Sequence, residues 1–430
     1  MGSALIFLTA ILFAVSVIVL VNEKFLKLAD EIVLLIFSLL GGIVLLVVVN
    51  TDAFPQTQIL MNTISRFRID KVLLEVFLCF MLFTGASELK LKSLVNNFKP
   101  ICLLALLTTV ITATIYGGLF YLVTRLLGMD ISFTLCFLLG SIVSPTDPIA
   151  ATGILGRMGL TKNVTAIMEG ESLFNDGTGV ALFIFIKGIL LDDKGSNFAV
   201  VMCRELFGAV IVGLVVSFLF SLLIRATMDP VKHIIISMMT VAFCYTVCDH
   251  FGFSGVIASV ICGIYFSTMM DRYRVNNEDW DPSDYYKDFW TIMDKLLNYV
   301  LYVMIGISFV YVTRIPHLIV VAIAAIVINL VSRYIGVLIS TIISRQQPDN
   351  YKLQPFTILM TWSGLKGGLC LALAMSIADI LTASEYGFVL YVTFITIIFT
   401  TVIQGLTVGK VFTFVQKKSG LLPEDNSKQS

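Results

Sequence analysis

The stretch Glu169-Gly170-Glu171-Ser172-Leu173-Phe174-Asn175-Asp176 holds three carboxylates, a hydroxyl and an amide within eight residues. Apolar residues enclose it, Val164, Ala166, Ile167 and Met168 before it and Ala181 to Phe185 after it. A carboxylate at membrane depth costs about 2.5–3.5 kcal/mol on insertion scales, so three of them in such surroundings imply use. On a helix, Ser172 and Asp176 share one face and Glu171 and Asn175 another, offset by about 100°. A second polar cluster, Ser144-Pro145-Thr146-Asp147-Pro148, interrupts a different apolar run. Its two prolines remove backbone donors and leave carbonyls without helical partners. The Asp176 carboxylate, the Ser172 and Thr146 hydroxyls and a freed carbonyl together make an oxygen shell that suits Na⁺. A carboxylate in such a shell carries a proton or a cation, not both. That competition is sufficient for exchange, because a cation entering on one side expels the proton and the reverse happens on the other.

Two basic residues need partners at the same depth. Arg333 lies among Ile326, Ile328, Leu330, Ile335, Val337 and Leu338. An arginine there should be paired. Glu171, Glu169 and Asp147 are the available acids, and Glu171 is the favoured one. Glu169 is left as a second partner or as a group near an opening. Lys366 lies in Thr361-Trp362-Ser363-Gly364-Leu365-Lys366-Gly367-Gly368, a run whose glycines favour local unwinding.

The elements that position these residues are membrane helices. The chain is 57% hydrophobic and 13% charged, with mean hydropathy +0.94; soluble domains carry about 25% charged residues. A spanning helix needs roughly 20 apolar residues. Segments at 4–21, 31–50, 73–89, 100–124, 132–156, 164–187, 199–224, 233–248, 254–269, 289–313, 316–344, 354–378 and 386–409 qualify, which predicts thirteen helices. The first is read as a retained helix, since it lacks a basic start and a clear cleavage site. Of the 29 Lys and Arg residues, four (Arg204, Lys295, Arg333, Lys366) lie within spans. The connections hold the remainder, 18 on the side of the C-terminus and seven opposite: Arg66, Arg68, Lys71, Arg125, Lys187, Lys194 and Arg314. Basic loops stay cytoplasmic, so the C-terminus is expected inside and the N-terminus outside.

Zero formal net charge gives no footing for nucleic acid. The eight cysteines are scattered over apolar helices and are expected to be small buried residues. The acidic loop 271–288, with Glu278, Asp279, Trp280, Asp281 and Asp284, is expected to be a solvated connection, the alternative being a regulatory cation site.

The breaks in the fifth and twelfth spans are 219 positions apart at Asp147 and Lys366, and the fourth and eleventh spans start about 216 apart. Two three-helix units, 4–6 and 11–13, therefore match in length and in the place of the break. Their odd offset in the helix count gives them opposite orientations. Paired broken helices in an inverted repeat point to a transport site near the midplane. Where such helices cross, Asp147 can neutralise facing N-termini and Lys366 facing C-termini. Direct cation contact for Asp147 and titration for Lys366 are the other roles open to them.

Thr146-Asp147-Pro148, Glu171-Ser172-Leu173-Phe174-Asn175-Asp176-Gly177 and Arg333 together resemble the sodium/proton antiporters of the NhaP and sodium/proton exchanger type. Ser254-Gly255-Val256 is similar to the family's ninth helix. Phe289-Trp290 with Asp294 and Leu297-Asn298 is similar to its tenth, and Trp362 to Leu369 to its twelfth. The resemblance covers about residues 10–412. It implies an all-α membrane protein of the NhaA/NhaP-like antiporter fold, with about 13 transmembrane helices, inverted repeats and two crossed, broken helices. Residues 1–412 would form the transporter domain, with a core at about 100–187 and 316–409 moving against a dimer domain at about 4–89 and 199–313. Residues 413–430 would be a short cytoplasmic tail. The resemblance further implies a homodimer in the cell membrane serving sodium and pH homeostasis. Asp176 would be the acid that binds cation and proton, Thr146 and Ser172 further Na⁺ ligands, and Glu171 the partner of Arg333. The Asn175-Asp176 pair goes with electroneutral one-for-one exchange in such proteins. Lys366 departs from the pattern, standing where relatives commonly have arginine.

The expected activity is exchange of Na⁺ (or Li⁺) for H⁺, with no enzymatic reaction and no cofactor. A K⁺/H⁺ antiporter of the same fold is the alternative, since motif residues do not report which cation passes. Two remoter readings are an intramembrane aspartic protease using Asp147 and Asp176, and a cation channel. Prolines on both sides of Asp147 and the charge of Arg333 oppose the first. Inverted broken helices oppose the second.

Overall fold

The computed structural model describes residues 2–50, 72–147, 149–191, 198–274, 282–309, 317–346 and 348–421. Pro148, the basic residues Arg66, Arg68, Lys71, Lys194, Arg314 and Lys428, and residues 275–281 of the acidic segment lie outside the described residues; the rest of that segment, read from the sequence as a loop at 271–288, belongs to the helices Gly255–Arg274 and Pro282–Ser308. The described chain is almost wholly helical and contains no strand. Over the described residues, each of the thirteen predicted segments falls mainly on helix, two of them as broken pairs: Phe133–Val143 with Ile149–Arg157, and Leu353–Trp362 with Gly368–Met375. Among the described residues, eight helices are long and apolar enough to cross a membrane. This is a multi-pass membrane protein.

The chain divides into two compact units. The first comprises Met1–Glu88, Gly208–Leu318 and Gly368–Phe394, the second Leu89–Phe207, Ile319–Gly367 and Ile395–Ser430. The segment Gly368–Phe394, placed by the sequence reading in the core at about 316–409, thus clusters with the first unit.

In the first unit, helix Gly255–Arg274 packs on Leu78–Glu88, and Pro282–Ser308 on Asp30–Asn50. At the second contact the Ser38 hydroxyl donates to Leu34 O at 2.6 Å in its own helix and lies 3.1 Å from Tyr302 O across the interface. Trp290 is buried against Phe83, with centroids 4.6 Å apart, and its indole N–H donates to Ser237 Oγ at 3.1 Å. A buried indole keeps both its apolar contact and its hydrogen bond this way. Six of the eight cysteines are buried as expected; Cys102 is half-buried and Cys203 exposed.

In the second unit, the helix Phe98–Leu126 meets Leu318–Ser344 through hydroxyls: Thr108 Oγ1 donates to Ser340 Oγ at 2.8 Å, and Thr112 Oγ1 to Ser332 O at 3.5 Å. Small hydroxylated residues allow close approach where apolar burial cannot drive association. Helix Lys162–Leu190 lies against Phe133–Val143, and Gly405–Ser419 against both Ile149–Arg157 and Leu353–Trp362.

Candidate functional site

The site lies within the second unit. Ser132 caps the helix Phe133–Val143 by accepting from Leu135 N–H at 3.1 Å. The helix stops at Ser144 because Pro145 has no N–H to continue the ladder. The peptide groups set loose by this stop must find other partners, since water is scarce at this depth. Five of them do so with protein groups. The Lys366 ammonium donates to Ser144 O at 3.2 Å and to Pro145 O at 3.1 Å. Thr146 N–H donates to Asn175 Oδ1 at 3.3 Å, and Thr146 O accepts from Ser172 Oγ. Asp147 N–H donates to Leu365 O at 2.9 Å, joining the two breaks as an antiparallel pair.

Thr161 caps the helix Lys162–Leu190 by accepting from Val164 N–H at 3.3 Å, and the acidic motif follows on the same helix. Its side chains have separate partners. Glu171 is 3% exposed and accepts from Arg333 Nη1 at 2.7 Å and Nη2 at 3.0 Å. Of the three acids open to Arg333 in the sequence, Glu171 is the one both guanidinium nitrogens reach. Arg333 Nη2 also lies 3.4 Å from Met360 O, close to the end of Leu353–Trp362, where a positive charge complements the helix dipole. Asn175, fully buried, donates from Nδ2 to Thr146 Oγ1 at 2.7 Å and to Glu171 Oε1 at 3.1 Å.

The groups that hold Thr146 are therefore Ser172 and Asn175, spaced i, i+3. The sequence reading placed Thr146 opposite the i, i+4 pair Ser172 and Asp176. Both spacings share a helix face, and the angular position of the helix selects the first. Asp176 is half-buried, and its side chain makes no hydrogen bond among the described residues. The charged groups around it are Asp147, Glu171 and Lys366. Glu169 is half-buried.

The close packing of the break shows at two glycines. A Cβ on Gly364 would lie 2.9 Å from Arg333 Nε and 3.2 Å from Thr146 Cγ2, and one on Gly367 would lie 2.9 Å from Asp147 Oδ2. Residues 9–414 match a family model described as the sodium/hydrogen exchanger, transmembrane. The chain belongs to the sodium/hydrogen exchanger family.

Relatives of this exchanger include the Na⁺/H⁺ antiporter NhaP of Pseudomonas aeruginosa, 30% identical over 90% of this chain and 92% of that protein. The Na⁺/H⁺ antiporter NhaH of Halobacillus aidingensis is 28% identical over 96% of this chain and 97% of its own. Among solved structures, the sodium proton antiporter MjNhaP1 of Methanocaldococcus jannaschii superposes with a TM-score of 0.75 at 21% identity, covering 96% of this chain and 99% of that one. The exchanger therefore has that antiporter's fold.

Two residues of the exchanger's site carry no mark in the motif pattern. Thr400 Oγ1 accepts the Lys366 N–H at 3.1 Å, and Thr401 Oγ1 donates to Lys366 O at 3.2 Å. They lie in an apolar run with hydroxyls at Thr393, Thr396, Thr400 and Thr401, whose spacing alone does not say which meet a break.

Proposed function

We propose that this exchanger swaps Na⁺ for H⁺ one for one, with Asp176 binding either ion in turn. Asp147, Ser172, Thr146 and Asn175 line the same place, the Ser172 and Thr146 oxygens serving as further Na⁺ ligands. One observation carries the reading: of the acids in the motif, Glu171 is buried and held by Arg333 on both oxygens, whereas Asp176 beside it has no such partner. A fixed ion pair takes no part in a cycle, and the reading assigns loading to Asp176 alone, one cation or one proton at a time. Each half-cycle then moves the same charge, and the exchange is electroneutral. The cycle is alternating access, in a homodimer in the cell membrane with the N-terminus outside and the C-terminus inside. Membership of a transporter family sets aside the protease reading and, with the fold, favours an antiporter over a channel.

The test is ΔpH-driven Na⁺ uptake into proteoliposomes. Asp176→Asn is expected to abolish uptake, and wild-type rates in that variant would sink the proposal. A cation panel of Na⁺, Li⁺, K⁺ and Rb⁺ with a pH dye decides selectivity. The potassium alternative has one specific support. A relative from Bacillus subtilis, 29% identical over 57% of this chain and 36% of its own, is described as a sodium, potassium, lithium and rubidium/H⁺ antiporter.

A further inference from the structure

We infer that Thr400 and Thr401 are positioning residues for ion exchange, setting the place of the Lys366 ammonium and, through it, the geometry of the Thr146 break. The inference rests on the proposed exchange at Asp176. Lys366 sits where Leu353–Trp362 has ended and Gly368–Met375 has not begun, so neither of its peptide groups has a helical partner of the usual kind. Two successive hydroxyls replace those partners in complementary senses. The Thr400 hydroxyl donates to Thr396 O at 2.9 Å in its own helix and keeps a lone pair for the Lys366 N–H, at 3.1 Å. The Thr401 hydroxyl spends its proton on Lys366 O, at 3.2 Å. Both threonines are fully buried and Lys366 is 1% exposed, so water does not substitute freely for either bond.

Both hydroxyls belong to a π-helical turn, Phe399–Gln404. Such a turn brings successive side chains closer in angle than an α turn does, and π turns occur frequently at functional sites. The brace continues into the site without a gap. The side chain of Lys366 grips Ser144 O and Pro145 O, and the preceding residue, Leu365, accepts the Asp147 N–H. Fixing the peptide groups of Lys366 therefore fixes both strands of the crossing, between which Thr146 is held against Ser172 and Asn175. An ammonium displaced along its flexible stem would leave those carbonyls and alter the charge facing Asp176.

The experiment compares Thr400→Val/Thr401→Val, which keeps shape and removes both hydroxyls, with Thr400→Ser/Thr401→Ser, which keeps them. Each is reconstituted in proteoliposomes beside the wild type and Asp176→Asn. In folded protein selected by a monodisperse elution profile, the valine pair is expected to raise the apparent KM for Na⁺ by about fivefold or more, the scale of two lost hydrogen bonds. The kcat should change less, and the serine pair should bring KM back to within about twofold of wild type. A folded valine pair with wild-type KM overturns the inference, as does a serine pair as impaired as the valine pair. Should the double valine variant fail to fold, Thr400→Val and Thr401→Val are measured singly. Each retains one bond and is expected to raise KM by a smaller factor, and wild-type KM in both overturns the inference. A wild type without Na⁺-dependent exchange, or an active Asp176→Asn, overturns the exchange reading itself.

Discussion

The Arg333 guanidinium holds both carboxylate oxygens of Glu171, at 2.7 and 3.0 Å, with both side chains almost wholly buried. Two fixed, parallel hydrogen bonds make this the strongest form of such a pair. Its energetics are asymmetric, because removing one partner strands the other charge in a medium that cannot solvate it. Arg333→Ala is therefore expected to destabilise the protein by about 3–5 kcal/mol, read as a fall in thermal unfolding temperature in detergent. The fall should exceed any change in apparent Na⁺ affinity. A stable variant with weakened Na⁺ affinity would place Arg333 in the transport step instead.

Lys366 caps two carbonyls just past the end of Phe133–Val143, and a positive charge with enough donors is what the position needs. Lys366→Met should lower stability by about 1–3 kcal/mol, because Ser144 O and Pro145 O lose their partner. Lys366→Arg keeps charge and donors at greater reach and should retain most of the stability. Thermal shifts of the two variants side by side check this, and equal losses would show that capping is not what Lys366 supplies.

Gly364 leaves no room for a side chain between Arg333 and Thr146. Gly364→Ala forces the guanidinium or the break to shift, which overpacking data put at about 1–3 kcal/mol. Slower exchange should accompany the loss, since Thr146 borders the proposed ion site. Unchanged stability together with an unchanged rate would mean that the break yields at no cost.

One-for-one exchange at a single carboxylate predicts no dependence on voltage. The rate of ΔpH-driven Na⁺ uptake should be the same with the membrane potential clamped at zero or at a negative value by K⁺ and valinomycin. A rate that follows the clamp would require a second ion-loading group, for which the half-buried Glu169 is the first to test.

Much of this was legible in the sequence. Hydropathy runs predict the long apolar helices because lipid forces each one to satisfy its own backbone, whereas short helices such as Leu91–Asn96 lie outside the predicted spans. Pro145 in one span and the glycines around Lys366 in another predict the two breaks, since both are failures of local helix chemistry. The acids and the arginine are conspicuous because charge is expensive at that depth. In each case the property belongs to the residue or its immediate neighbours.

What only the tertiary structure decided is the pairing. Glu169, Glu171 and Asp147 were all available to Arg333 by type, with Glu171 favoured, and the rotation of Lys162–Leu190 is what brings Glu171 within reach of both Arg333 Nη atoms. The same rotation gave Thr146 to Ser172 and Asn175 and left Asp176 beyond their hydrogen bonds. Thr400 and Thr401 became partners of Lys366 only because a π-helical turn 34 to 35 positions along the chain aims two hydroxyls at the break. Depth and helix chemistry are local and can be read along the chain. Which face meets which depends on how long-range packing turns each helix, and no spacing within one helix records that.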